Sequence, residues 1–385
     1  MNASATGRRA SHRGQGGQVI VIMTLALVAL VLGVALVIEA GNAFAQQRVA
    51  QNGADAAANA GAVVLGERLG GAVRTNANVF TAVTSTASAN SLANPTAFYT
   101  NIDGNDVAGG PLAVPNDAGA PPADAAGVRV GGDRDFATLF ARVGGFDQLR
   151  ASADATAVAG LLDGVCSAES GCGVLPVTFP VLISTCEAPH TNTPIGQGPY
   201  TVVPIDQRTD ANMSIVPLCT TGPGSIGWLD LGPGNLAEEI ENPSNRAFNL
   251  PTWLQTQTGA VNAVEDEIND NYAGKVILVP MFDGTCRVEP AGTDYLDCPE
   301  DKRGTDPVGD NTWYHIPKFT GFFLDRAYVQ GADRECKEGP GSPLMGGGGS
   351  VACMKGWFVR FITQGPVTAG GAGDDTSAIG IQLKR

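Results

Sequence analysis

The sequence has little histidine, few aromatic residues and few bases. Its 385 residues include three histidines, and Phe, Trp and Tyr make up 6%. His12, His190 and His315 are isolated from one another and no Cys-x-x-Cys pair occurs, which leaves a structural zinc site without its usual ligand spacing. Neither G-x-S-x-G nor H-E-x-x-H is present, and His190 lies in the Pro-rich "EAPHTNTPIG", so a hydrolase lacks its parts. Lys and Arg number 24 against 38 Asp and Glu, for a net charge of −14. Such a polyanionic body argues against nucleic acid and against docking on anionic lipid by a basic face; it serves solubility. No cysteine precedes Cys166, which closes the lipoprotein route.

What is present begins with an uncharged run. From Val19 to Ile38 the only polar residue is Thr24. At about 1.5 Å per residue this stretch matches the roughly 30 Å of bilayer hydrocarbon. Arg8, Arg9 and Arg13 precede it and Glu39 follows it, which places the N-terminus in the cytoplasm and the rest of the chain on the far side. A cleaved signal peptide competes with a retained anchor, because Ala43-Phe44-Ala45 before Gln46 has the small-x-small form of a cleavage site. The run exceeds an ordinary h-region, and Glu39 and Asn42 lie where the helix would have to break; retention is the expected state.

The helix continues past Glu39 without a turn signal. Gly33, Leu36, Ala40, Ala43, Gln47, Ala50, Ala54, Ala57 and Gly61 recur at spacings of three and four, lining one narrow face. Small residues let a second helix approach closely, so this seam is a candidate interface with other helices or with a second copy. An alanine-rich stalk, helical by propensity alone, is the competing reading.

The stretch "GQVIVIMTLALVALVLGVALVIEAGNAFAQQRVAQNGADAAANAGA" resembles the N-terminal module of the TadE/TadG-like proteins of tight-adherence (Flp) pilus systems. That family's acidic residue and glycine correspond to Glu39 and Gly41. Its Arg-x-x-Gln-Asn-x-Ala-Asp-Ala-Ala-Ala signature corresponds to Arg48, Gln51, Asn52, Ala54, Asp55, Ala56, Ala57 and Ala58. Glu39 stands where the family more often has Asp, and Gly53 where it commonly has Ala. The glutamate that pilin-like subunits carry five residues after the cleaved glycine is replaced here by Ile22, five after Gly17. The resemblance therefore implies an accessory protein of the TadG type and no prepilin-peptidase processing.

Beyond the module, residues 65–101 are polar and rich in Ala, Asn and Thr, and 103–127 read as a Gly/Pro/Asp linker. In "VRVGGDRDFATLFARVGG", Phe136, Leu139, Phe140 and Val143 fall at helical spacing before Gly144-Gly145 and predict a short amphipathic helix. The next segment, "FDQLRASADATAVAG", is alanine-rich. Strands are expected in "GVLPVTFPVLI", "GKVILVPMFDG", "FTGFFLDRAYV" and "KGWFVRFIT", and a helix carrying Val261, Val264, Ile268 and Tyr272 interrupts them. "GWLDL", "PTWLQTQTG" and "VPMFD" loosely resemble segments of TadG-like outer regions.

All eight cysteines follow the span: Cys166, Cys172, Cys186, Cys219, Cys286, Cys298, Cys336 and Cys353. On an oxidising side of a membrane an even count reads as a disulfide framework, and the spacing favours sequential local pairs. "GPGSIG", Gly222 to Gly227, contains Pro223 and leads to no helix, so it reads as a turn and not a nucleotide loop. The acidic "EDEINDN" and the loop "DKRGTDPVGDN" lack the spacing of a compact calcium loop.

The expected fold is α+β: one transmembrane helix extended into an Ala-rich helix, then a disulfide-tied, loop-rich antiparallel sheet domain with one or two packed helices. The expected order is a basic tail (1–17), the span (18–39), the helical extension (40–70), a membrane-proximal region (71–165), a Cys-rich domain (166–365) and a tail (366–385). No cofactor, metal or catalytic site is expected. The leading functional reading is a non-enzymatic envelope protein of a tight-adherence pilus system. A surface adhesion or ligand-binding protein is the alternative.

Overall fold

The computed structural model describes residues 16–112, 117–163, 173–181, 195–218, 227–232, 235–243, 248–257, 264–304, 312–329, 336, 352–368 and 375–384. It is an α+β structure dominated by one helix, α1 (Gly16–Leu69), of 54 residues. At about 1.5 Å per residue α1 is some 80 Å long, far more than any bilayer needs. Every large apolar side chain from Val19 to Ile38 is exposed, and α1 is long and apolar enough to cross a membrane. The helix ends at a glycine pair: Gly71 has φ +80°, its N–H bonds to the Arg68 carbonyl, and the Ala72 N–H reaches the Glu67 carbonyl. This left-handed stop satisfies the last carbonyls and suits glycine.

The second half of α1 lies across a seven-stranded sheet. Its strands are β1 (Ala93–Thr100), β2 (Asp106–Pro111), β3 (Gly127–Ala137), β4 (Gln148–Leu162), β14 (Ile362–Gln364), β15 (Val367–Thr368) and β16 (Ile379–Lys384). The order is β14-β16-β4-β3-β1-β2, with β15 also on β4. Along β4, Ala151, Ala153, Ala155, Ala157 and Ala159 are buried, whereas Ser152 and Asp154 are exposed. This period of two sends one face of alanines to the core. Against it packs a helical face of Ala50, Ala54, Ala57, Ala58, Ala62 and Leu65. Helix α2 (Asn76–Ala89) closes the flank with Val79, Val83 and Ala87. Its start is fixed by Thr75, whose hydroxyl accepts from the Asn78 N–H while the Asn78 side chain accepts from the Thr75 N–H.

A second body holds the expected strands. A five-stranded sheet has the order β5 (Phe179–Pro180), β8 (Val276–Phe282), β12 (Lys318–Tyr328), β13 (Cys353–Val359) and β6 (Ser214–Pro217). All its neighbours are antiparallel except the short β5–β8 pair. Phe179, Phe322 and Phe358 meet edge to face at 5.1–6.0 Å in its core, a favoured geometry of aromatic quadrupoles. Two helices, α3 (Leu236–Glu241) and α4 (Val264–Tyr272), pack together; Val264 and Ile268 are buried and the Tyr272 hydroxyl donates to the Ile240 carbonyl. Val261 lies outside the described residues. A four-stranded sheet follows the order β10 (Arg303–Gly304), β9 (Gly284–Cys286), β11 (Trp313–Ile316) and β7 (Thr252–Gln255). Disulfides join Cys286 to Cys298 and Cys336 to Cys353, both sequential pairs. Cys166, Cys172, Cys186 and Cys219 lie outside the described residues.

Several segments take forms that the sequence reading did not give them. No helix spans Phe136 to Val143: Phe136 ends β3, a single 3-10 turn runs from Ala141 to Gly144, and Leu139, Phe140 and Val143 are exposed. Their helical spacing has no core to face. The alanine-rich 151–159 is a strand. The C-terminal stretch read as a tail supplies β15 and β16, which pair with β4 and complete the first sheet. Part of the expected linker, Asp106–Pro111, is likewise the edge strand β2.

Replacing Ala57, which is fully buried, with Leu should cost about 1–3 kcal/mol by overpacking, whereas Ala45→Leu on the exposed side should stay within about 0.5 kcal/mol. Chemical unfolding of the detergent-solubilised protein reads the difference; equal effects would place the alanine face outside the core.

Candidate functional site

The residues singled out in the sequence lie along α1, and the structure divides them by height. Gly33 has nothing within 4 Å of the place a Cβ would take, and neither has Gly41; Ala40 is exposed. Ala43 is half-buried and touches the edge of the core. Ala50, Ala54 and Ala57 are buried under the sheet. Gly61 is the tightest point: a Cβ there would stand 2.9 Å from Val83 Cγ2 and 3.0 Å from Val128 Cγ2. The helix thus passes between α2 and β3 where only a hydrogen fits. From Ala50 onward, then, the small-residue seam is covered by the chain's own sheet and by α2, and the part facing outward runs from Gly33 to Ala40.

The polar signature residues share the edge of that contact. Gln51 Nε2 donates to the Asp154 carbonyl and to Asp55 Oδ1, both at 2.9 Å, using both amide hydrogens. One turn earlier, Gln47 Nε2 donates to the Ser152 carbonyl at 2.6 Å. The β4–β16 pairing stops at Thr156, so among the described residues Ser152 and Asp154 lie on a stretch of β4 with no strand on that side. Two glutamines of the helix supply donors there, which satisfies carbonyls an unpaired edge would leave open. Arg48 and Asn52 are exposed, and none of the described bonds places them at this contact.

Glu39 holds the other end. Its carboxylate accepts from the backbone N–H groups of Leu139 (3.0 Å) and Phe140 (2.8 Å), at the tip of the β3–β4 hairpin. Asn42 donates to the Ala137 carbonyl at 3.4 Å, and Arg134 Nε donates to Gln46 Oε1 at 2.8 Å. These contacts fix the register: the hairpin runs alongside α1, with its tip toward the span. The sequence marked Glu39 as a signature residue, named Asn42 and Gln46 only for the cleavage question, and passed over Arg134. A signal for the strand was present in "ASADATAVA", whose strict alternation is a strand pattern.

One acid–base pair elsewhere has catalytic components. His315, on β11, is buried with Nδ1 2.6 Å from Asp283 Oδ1, and its ring packs on Trp253 and Tyr295. Its Nε2 faces the Thr293 carbonyl at 3.2 Å, an oxygen that can only accept. Both ring nitrogens are therefore occupied in tying β11 to neighbouring loops, and a general base would need one of them free. Among the described residues no three His, Cys, Asp or Glu side chains gather as a metal site. Residues 305–311 of the acidic loop, and His190, lie outside them.

Comparison with protein families matches residues 17–64 to the model described as putative Flp pilus-assembly TadE/G-like. The match spans the apolar run, the hairpin clasp at Glu39 and the buried helix face as far as Gly61. Neither the comparison with curated proteins nor that with solved structures finds a match.

Gln51→Ala should destabilise the protein by about 1 kcal/mol through two lost bonds, and Asn52→Ala, on the exposed face, by under about 0.5 kcal/mol. Paired denaturant titrations of the two variants test this, and an Asn52 effect as large as that of Gln51 would contradict the edge role.

Proposed function

We propose that this chain is a non-enzymatic, single-pass envelope protein that serves in assembly or anchoring of a tight-adherence (Flp) pilus, with its N-terminus cytoplasmic and its sheet domains outside the membrane. The observation that carries the reading is the continuity of α1. The segment matched to the pilus-assembly family begins as an apolar span and ends as the central helix of a folded body. Apolar segment and body are thus parts of one rigid element. A helix in this arrangement transmits position, since moving the body against the apolar span means bending or breaking α1. Arg8, Arg9 and Arg13 before the span and the cysteine pairs after it support the orientation.

The same contacts support a retained anchor. A signal peptidase acting after Ala45 needs an extended segment, but residues 39–47 are helical. Glu39, Asn42, Gln46 and Gln47 are each bonded to the hairpin, so unwinding there would release all four. Partner helices, or a second copy, would meet this protein within the lipid through the outward face from Gly33 to Ala40. The polyanionic body is left for protein partners outside.

Two measurements test the proposal. Intact mass of membrane-extracted protein should show a chain that includes Val19–Ile38; a soluble mature chain beginning at Gln46 would overturn the anchor and favour a secreted adhesin. Affinity purification from gently solubilised membranes should recover pilus secretion components, and their absence alongside intact surface exposure would favour the adhesin as well.

A further inference from the structure

The tip of the β3–β4 hairpin leaves apolar side chains uncovered. Val143 is 88% exposed and Phe146 63%, and Leu139, Phe140 and Leu149 join them; on the adjoining helix Ile38 and Phe44 are exposed too. Large apolar side chains exposed together at one hairpin tip mark a contact surface. The sequence read Leu139, Phe140 and Val143 as part of a short amphipathic helix, and no core receives them.

Their height along α1 identifies what does. Helical side chains lean toward the helix N-terminus, so the Glu39 carboxylate lies level with the turn before it, the last turn of the apolar run. The N–H groups of Leu139 and Phe140 are bonded to that carboxylate, so the tip, which continues beyond them, stands beside the end of the span. We infer that the hairpin tip, residues 139–146, enters the interface of the lipid leaflet from which α1 emerges, as a second membrane contact beside the span. The inference rests on the reading that Val19–Ile38 crosses the bilayer.

A loop can approach hydrocarbon only if its backbone polar groups are met internally. This one is largely self-satisfied. Val143 N–H bonds to the Phe140 carbonyl at 3.0 Å, Gly145 to Arg142 at 3.0 Å and Phe146 to Ala141 at 3.2 Å. The Thr138 hydroxyl donates to the Phe146 carbonyl and the Thr138 N–H to the Asp147 carbonyl. Gly145, at φ +88°, makes the turn that a side chain would strain. Arg142, the basic residue of the tip, is exposed and free to reach phosphate oxygens of the headgroups, as a long basic side chain does at an interface. A single span lets span and body rotate and tilt in the bilayer as one unit; a second contact off the axis holds that unit at one orientation to the membrane.

The test is tryptophan quenching in the full-length protein, reconstituted in phosphatidylcholine vesicles carrying bromine either near the headgroup end or near the methyl end of the acyl chain. Val143→Trp and Phe146→Trp place reporters at exposed tip positions, where folding does not depend on the side chain. Leu30→Trp reports the span, and Val73→Trp, 89% exposed past the far end of α1, reports solvent. Each added emission is read over that of the four native tryptophans. The expected result is a blue-shifted tip emission quenched more by shallow than by deep bromine, deep quenching of the Leu30 reporter, and no quenching at Val73. Quenching at Leu30 with none at Val143 and Phe146 would overturn the inference and leave the anchor standing, with a protein partner as the tip's occupant. No quenching at Leu30 would overturn the span reading and this inference with it.

Discussion

The contact on which the rest depends is alanine against alanine. Ala50, Ala54, Ala57, Ala58 and Ala62 of the helix meet Ala151, Ala153, Ala155, Ala157 and Ala159 of the strand, all buried. Small side chains bring a helix unusually near a sheet, and dispersion between backbone and Cβ atoms falls off steeply with any gap. Leu or Ile would serve an ordinary core, but here they would hold the two elements apart. The close approach also brings Gln47 and Gln51 within reach of the carbonyls of β4, so the polar edge follows from the packing of the apolar face.

That close contact settles a problem set by the length of α1. A helix leaving a bilayer loses its apolar surroundings abruptly, and a bare alanine helix in water is marginal. This chain gives α1 a sheet to lie on within two turns of the span. The ties at Glu39 and Asn42 begin that support, the glutamines continue it and the core from Ala50 completes it. The glycine stop at Gly70-Gly71 then ends the helix, and the Arg360 guanidinium, from beyond β13, donates to the Gly70 carbonyl. Helix and body are consequently joined at both ends of the half of α1 that follows the apolar run.

The second body is held differently. Its five-stranded sheet has a core of Phe, Trp, Leu and Val side chains of ordinary size, and its loops are tied by local disulfides and by residues such as His315, which binds β11 to neighbouring loops. Its central strands β8, β12 and β13 were legible because β-branched and aromatic runs bounded by Gly and Pro have few other solutions. α4 was legible for the same kind of reason, since its acids and apolar residues separate cleanly at helical spacing.

By itself the sequence determined the apolar run, the unbroken helix beyond it, its small-residue face and the α+β class. Each is a local property: hydropathy over twenty residues, spacing of three and four, or β-branched content over seven. What covers that face was decided only by tertiary structure, because small residues state how near a neighbour can come and not which neighbour it is. The neighbour lies about a hundred residues away in "ASADATAVA", whose alternation indicates a strand while its alanines, poor strand formers, obscure it. The same limit applies to Leu139, Phe140 and Val143. Helical spacing in the sequence implied a buried face, but the register set by Glu39 and the β3–β4 pairing carries them to the outside. The closing strand β16 was equally invisible, since pairing of Ile379–Lys384 with β4 depends on a surface that exists only once more than two hundred intervening residues have folded.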